Sequence, residues 1–470
     1  MKYISTRGNV SKIGFIDTVL MGLATDGGLL VPEKIPQIPV EKLQAMSQLT
    51  YPELAYEIIS YYVDGEIPEN ELKELIEKSY GTFRHSEVTP VQKIKDNMYV
   101  LELFHGPTFA FKDVALQFLG NLYSYIAKKT GVTINILGAT SGDTGASAIE
   151  GVRGKEGIRI CILHPHGKVS KVQELQMTTV HDESVLNLAI KGTFDDGQRI
   201  IKELFADLEF KNTYHLRAIN SINFARILAQ TVYYFYAYFQ VAKEKDIESL
   251  NFSVPTGNFG DIFAGYLAKR MGLPVGELIV ATNENNILER FIKDGVYQPS
   301  EFRSTYSPSM DIQVASNFER YLYYLLDEDA GAVTALMDQF KTEGKIVVNE
   351  EQLRQVKADF AAYGVEGEEC LQTISKYYAE TNYLLDPHTS CGVAAYETCN
   401  DPSEVCVTLA TAHPAKFNES IELCNIEQTF PEQISQLFDK PQYLEVVEAA
   451  NDEIVRKLEK HFSSVQSNVK

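Results

Sequence analysis

From Tyr99 onward, short apolar runs alternate with amphipathic stretches of helical spacing, and this rhythm restricts the fold more than any other feature. Runs at 133–138, 158–163, 185–190, 215–219, 252–255, 278–281 and 405–410 read as strands. Helical patterns begin at Ala146 and run over 195–205, 222–243 and 262–271. Strands that alternate with helices form parallel sheets covered on both faces, because parallel neighbours need a crossover between them. Such sheets bind ligands at the carboxyl ends of their strands. Before residue 96 the chain reads as short helices and turns, with helical spacing at 40–62 and 69–80. There, Asp26-Gly27-Gly28 is a turn running into a short strand. The stretch 300–380 reads as mainly helical and interrupts the alternation, as an insertion or cap does. After Phe430 the tail reads as helical and charged.

The chain has 470 residues, too many for one compact core, so two or three domains are expected. With 43 basic against 64 acidic residues its formal charge is −21. Nucleic acid and anionic membranes both need a basic surface, so neither is an expected partner. An anionic substrate must instead be drawn by a local positive pocket. The six cysteines form no CxxC pair, and Cys161 and Cys406 lie inside apolar runs as buried thiols. A reducing cytoplasm suits that usage. The N-terminus has no apolar signal core, no run reaches membrane-spanning length, and no metal site is expected.

Four motifs fall on strand-to-helix junctions. In the first, Leu103-Phe104-His105-Gly106-Pro107-Thr108-Phe109-Ala110-Phe111-Lys112-Asp113, a lysine follows an apolar run, a turn and two phenylalanines. Held among aromatics on a loop before a helix, its ammonium would be partly desolvated, its pKa lowered, and its amine usable as a nucleophile. The plainer alternative is a solvated lysine in a first helical turn. The second, Ala139-Thr140-Ser141-Gly142-Asp143-Thr144-Gly145, leaves amide hydrogens pointing outward at a helix start, which suits a carboxylate or phosphate. Helix capping by Ser141 or Asp143 explains one such residue, not the whole run. The third, Pro255-Thr256-Gly257-Asn258-Phe259-Gly260-Asp261, lets backbone approach an oxyanion closely. It lacks the lysine of a Walker A loop and the spacing of a dinucleotide fingerprint, and alone it would serve equally as a tight turn. The fourth, Leu409-Ala410-Thr411-Ala412-His413-Pro414-Ala415-Lys416-Phe417, ends the last strand. Thr408 or Thr411 can offer a hydroxyl to a ring nitrogen, and His413 or Lys416 can face an anion. Finally, Asn223, Arg226 and Gln230 recur at three- and four-residue spacing on one helix, either as a solvated face or as the guanidinium an anion site needs. An amine for a Schiff base, a glycine loop for a phosphate and a hydroxyl for a ring nitrogen together meet the needs of pyridoxal phosphate.

These motifs, taken in order, resemble the threonine synthases. So do Tyr3-Ile4-Ser5-Thr6-Arg7-Gly8, Asp26-Gly27-Gly28-Leu29 and Asp386-Pro387-His388-Thr389, and the resemblance runs from residue 3 to about 420. It implies a fold type II (tryptophan synthase β-like) α/β enzyme with two doubly wound, mostly parallel sheet domains. Four regions follow: a helical N-terminal region of the long threonine-synthase type at 1–95, a smaller domain with the cofactor lysine and substrate carboxylate loop at 96–215, a larger domain with the cofactor phosphate loop and helical insertion at 216–425, and a helical tail at 426–470. The implied enzyme is a carbon–oxygen lyase acting on phosphates, which eliminates phosphate from O-phospho-L-homoserine and adds water to give L-threonine, the last step of threonine biosynthesis. Lys112 would hold the cofactor and move protons. Gly257, Asn258, Phe259, Gly260 and Asp261 would hold the cofactor phosphate, and Thr411 its ring nitrogen, with Thr408 the weaker candidate. Ser141, Gly142 and Thr144 would hold the substrate carboxylate, and Arg226, Ser221 and Lys416 its phosphate. Many fold type II relatives carry asparagine where Asp143 stands, so Asp143 is placed in the cofactor site with its role open. Monomer and homodimer remain equally open. Two alternatives share parts of this pattern: a fold type II phospholyase or dehydratase releasing a 2-oxoacid, and a non-catalytic binding protein, against which an intact Lys112 speaks.

Overall fold

The computed structural model describes residues 1–463. Backbone contacts gather the chain into two compact units, one of Met1–Phe111 with Ser221–Gln428, the other of Lys112–Asn220 with the described residues from Thr429 on. Residues 1–95 fall within the first unit, and the described tail from Thr429 on within the second.

The first unit is built on a six-stranded sheet. Its strands lie in the order Phe360–Gly364, Val275–Thr282, Leu250–Pro255, Cys406–Ala410, Met98–Glu102 and Val91–Lys93. All neighbours are parallel except the last pair. Phe360–Gly364 lies inside the stretch read as mainly helical and pairs with Val275–Thr282 from Leu278↔Phe360 to Thr282↔Gly364. Five residues with two alanines, following directly on the helix Glu350–Asp359, carry too little strand character to separate from their helical flanks. The helical span read at 40–62 is two helices, Val40–Met46 and Tyr51–Val63. Thr50 and Glu53 form a capping box that starts the second afresh.

The second unit is built on a five-stranded, all-parallel sheet in the order Glu445–Glu448, Val185–Lys191, Ile158–Pro165, Ile134–Ala139, Leu216–Ala218. The tail is therefore not only helical, since Glu445–Glu448 adds an edge strand. Val447, Ile454 and Leu458 of the tail are buried in one cluster with Leu137, Leu163, Leu188 and Ile200. The helices Lys112–Thr130 and Asp143–Val152 cross at backbone contact. A Cβ on Gly120 would overlap the Gly151 carbonyl, and one on Gly151 would lie 2.5 Å from the Leu116 carbonyl oxygen. Asp113 accepts a 2.7 Å hydrogen bond from Ser147 Oγ across the same crossing. Leu116 and Gly120 of the first helix thus pack on the last turn of the second, and Asp113 ties to its middle. No helix among the described residues is long and apolar enough to cross a membrane.

Candidate active site

In the second unit the sheet presents the loop after Ile134–Ala139 and the N-terminus of Lys112–Thr130. Lys112 is the first residue of that helix rather than part of the preceding loop, yet it is buried, not solvated. Its Nζ lies 3.5 Å from Asp143 Oδ2. Asp143, also buried, is the first residue of its own helix, and its Oδ1 accepts a 2.7 Å hydrogen bond from Gln173 Nε2. Gly142 caps that helix at φ 151° and ψ −89°, a region reserved for glycine. The Thr140 hydroxyl oxygen accepts from the amides of Gly142 (3.0 Å) and Gly145 (2.9 Å) and so sets the turn. Ser141 is exposed and Thr144 half-buried at the same helix start. The residues read as a carboxylate loop therefore do form a helix N-terminus, with an amine and a carboxylate buried beside it. Gln173 carried no signal in the sequence.

In the first unit, the strand Leu250–Pro255 runs into the Gly257 loop and the helix Gly260–Arg270. Phe259 takes a left-handed conformation (φ 63°) as the residue before that helix. Its ring is anchored by Phe318 and Phe360, at centroid distances of 5.4 and 5.6 Å, which holds the strained residue in place. A Cβ on Gly257 would lie 2.8 Å from the Ser309 carbonyl oxygen, so only glycine fits there. The Asn258 carbonyl accepts from the amide and side chain of Asn317, at 3.0 and 3.1 Å. The side chains of Asn258, Ser316 and Ser221 form a short hydrogen-bonded run. The Asp261 carboxylate is buried. Oδ1 accepts from the hydroxyls of Tyr233 and Tyr234, and burial pushes its pKa up to about 7. Asp261 lies in the first turn of the helix Gly260–Arg270.

The neighbouring strand Cys406–Ala410 ends beside the lysine segment. Ala110 bridges Ala412, the Phe111 amide donates to the Thr411 carbonyl (2.8 Å), and the His413 amide donates to the Phe109 carbonyl (3.0 Å). Phe111, the residue before Lys112, is thus tied to Thr411. Thr408 sits inside the sheet opposite Ser253 and Val100, with its hydroxyl buried and unpartnered. Thr411, just past the strand, is better placed to meet a ligand. His413 caps the short turn Pro414–Phe417, and burial lowers its pKa to about 4. Lys416 is buried, and its Nζ donates to the Thr108 carbonyl at 2.7 Å. Asn223, Arg226 and Gln230 are all buried, so the polar line on the helix Phe224–Glu244 is not a solvated face.

Taken separately, the buried Lys112 amine and the Gly257 loop, where no Cβ fits, are each a feature that pyridoxal phosphate needs. Family models match three stretches of the chain. Residues 2–80 match the threonine synthase N terminus, 84–340 the pyridoxal-phosphate dependent enzymes, and 389–458 the threonine synthase C-terminal region. A threonine synthase of Pseudomonas aeruginosa is 47% identical, with 94% of each chain covered. One of Schizosaccharomyces pombe is 46% identical over 90% of this chain and 89% of its own.

The chain belongs to the threonine synthase family.

It is a fold type II, pyridoxal-phosphate-dependent lyase of amino-acid biosynthesis. The crystal structure of pyridoxal-phosphate-bound threonine synthase from Brucella melitensis superposes with a TM-score of 0.95 at 42% identity, covering 99% of this chain and 100% of that one. Besides Gln173, sequence reasoning missed Asn317 and the pair Tyr233–Tyr234, each of which supports a site residue from a distant part of the chain. None carries a local motif that could have revealed it.

Proposed function

We propose that this chain converts O-phospho-L-homoserine and water into L-threonine and inorganic phosphate. The observation that carries the reading is Lys112, a buried amine on a first helical turn with Asp143 at 3.5 Å. When bound, pyridoxal phosphate supplies an electron sink that makes protons on the substrate's α and β carbons removable. Lys112 holds the cofactor through its amine and, once released, moves protons at those two carbons. Asp143 faces the Lys112 Nζ, and Gln173 keeps that carboxylate oriented. Ser141, Gly142 and Thr144 present the helix start to the substrate carboxylate, where amides and the helix dipole favour an anion. The amides of Gly257 to Asp261 take the cofactor phosphate, and the Thr411 hydroxyl meets the ring nitrogen. A hydroxyl, unlike a carboxylate, does not enforce a protonated ring, which limits how far charge flows into it. Arg226, Ser221 and Lys416 take the phosphate that leaves.

Incubation of the purified protein with O-phospho-L-homoserine tests the reading. Equimolar L-threonine and phosphate are expected. Release of 2-oxobutyrate in place of threonine would make the chain a phospholyase instead. The same reading places the protein in the cytoplasm as a monomer or homodimer, in keeping with six unpaired cysteines. Cell fractionation and sedimentation measure both; a membrane-bound fraction or a larger assembly would count against it.

A further inference from the structure

The motif Asp386-Pro387-His388-Thr389 has no part in the chemistry above, yet its side chains are almost fully buried in the first unit. Asp386 precedes the helix Pro387–Cys399 and caps it. Its Oδ1 accepts from the His388 amide (2.9 Å) and lies 2.8 Å from His388 Nδ1. Its Oδ2 accepts from the Thr389 amide (3.2 Å) and the Thr389 hydroxyl. A carboxylate only accepts, so the hydrogen of the imidazole sits on Nδ1. The other ring nitrogen is thereby left as an acceptor, and the Ser309 amide donates to His388 Nε2 at 3.1 Å. Ser309 belongs to the single turn Pro308–Met310, whose backbone lies against Gly257: a Cβ there would sit 2.8 Å from Ser309 O and 3.2 Å from Met310 Cα. The imidazole also packs on the Phe417 ring, at a centroid distance of 4.7 Å, in the turn that follows Thr411. One ring therefore ties the turn packed on Gly257 to the turn that follows Thr411.

We infer that His388, with its tautomer fixed by Asp386, is a positioning residue for the cofactor phosphate: it holds the Ser309 turn against Gly257 and so sets the height of the Gly257–Gly260 amides. The inference rests on the reading that this loop takes the cofactor phosphate. The two ends of the imidazole have separable isosteres. Glutamine can place its side-chain oxygen where Nε2 stands and accept from Ser309. Asparagine reaches only the Nδ1 position and leaves the Ser309 amide without its acceptor.

The test is reconstitution of apoenzyme with pyridoxal phosphate, read by cofactor dissociation constant and by the ³¹P resonance of the bound phosphate. His388→Asn is expected to weaken cofactor binding by about tenfold, the effect of one lost hydrogen bond, and to move the resonance. His388→Gln is expected to recover most of both. Asp386→Asn, whose amide can donate to Nδ1 and reverse the tautomer, is expected to move the resonance as His388→Asn does, even if it lowers thermal stability. A role limited to packing would lower the melting temperature of all three variants and leave the resonance in place. That result, or equal loss with asparagine and glutamine, overturns the inference. If the wild-type protein takes up no cofactor at all, the proposed function fails first, and the two failures are told apart.

Discussion

Replacing Gly142 with alanine strikes two features of the carboxylate loop at once. The backbone there, at φ 151° and ψ −89°, lies where an L-residue is strained by about 1–3 kcal/mol. The added Cβ would also fall 2.5 Å from Gln173 Cδ and 2.8 Å from its Nε2, so that side chain must move. Moving it breaks the 2.7 Å hydrogen bond to Asp143 and the 2.8 Å bond from Ser170. A bond to a charged group contributes roughly 1.5–3 kcal/mol, so the total penalty is on the order of 3–6 kcal/mol. Urea unfolding should register most of it. kcat/KM for O-phospho-L-homoserine should fall by about a hundredfold or more, because Asp143 loses its orienting partner beside Lys112. Gln173→Ala separates the two causes: it removes the obstruction and the hydrogen bond together. Adding Gly142→Ala to it should then cost only the backbone strain, and the pair should be clearly less than additive. Full additivity, or a Gly142→Ala variant with wild-type stability and kinetics, refutes the reasoning.

Two buried groups should give opposite pH dependences. Burial raises Asp261 from 3.8 to about 7, so the folded state holds a proton that the unfolded chain has lost across that range, and stability falls as pH rises through it, by up to about 4 kcal/mol. Asp261→Asn should remove this decline in a series of melting curves; an unchanged slope would exclude an ionising Asp261 as its source. Burial lowers His164 from 6.5 to about 4, so its contribution is present above pH 6.5 and is lost as pH falls toward 4, by up to about 3 kcal/mol. His164→Leu should flatten the acid limb, and an unaltered limb would assign it to other groups. Arg226→Ala should raise KM for the phosphorylated substrate on the order of tenfold to a hundredfold, the effect of losing charge-assisted hydrogen bonds to phosphate. Unchanged kinetics would move the phosphate site elsewhere.

The three glycine-bearing junctions were legible because each combines local signals, a strand-like run, turn residues and a helix start, within about a dozen residues. Lys112, Asp143 and Gly257 stand where that grammar puts them, at the carboxyl ends of parallel strands. What supports them was not legible, because it arrives from far along the chain. Asp261 Oδ1 accepts from Tyr233 and Tyr234 of the preceding helix, and no local pattern encodes that pairing. Likewise the strand Glu445–Glu448, with a charged residue at each end, reads as part of a helical tail until Val447 is seen buried in the second unit's core. Edge strands of this kind are shaped by what they pack against more than by their own residues.

The most direct measurement is borohydride reduction of the purified protein, followed by peptide mapping of the lysine that carries the pyridoxyl group. The account predicts the label on Lys112 alone, with Lys112→Ala colourless, folded and unable to form L-threonine. A label on another lysine, or a Lys112→Ala variant that still turns O-phospho-L-homoserine into threonine, would contradict it.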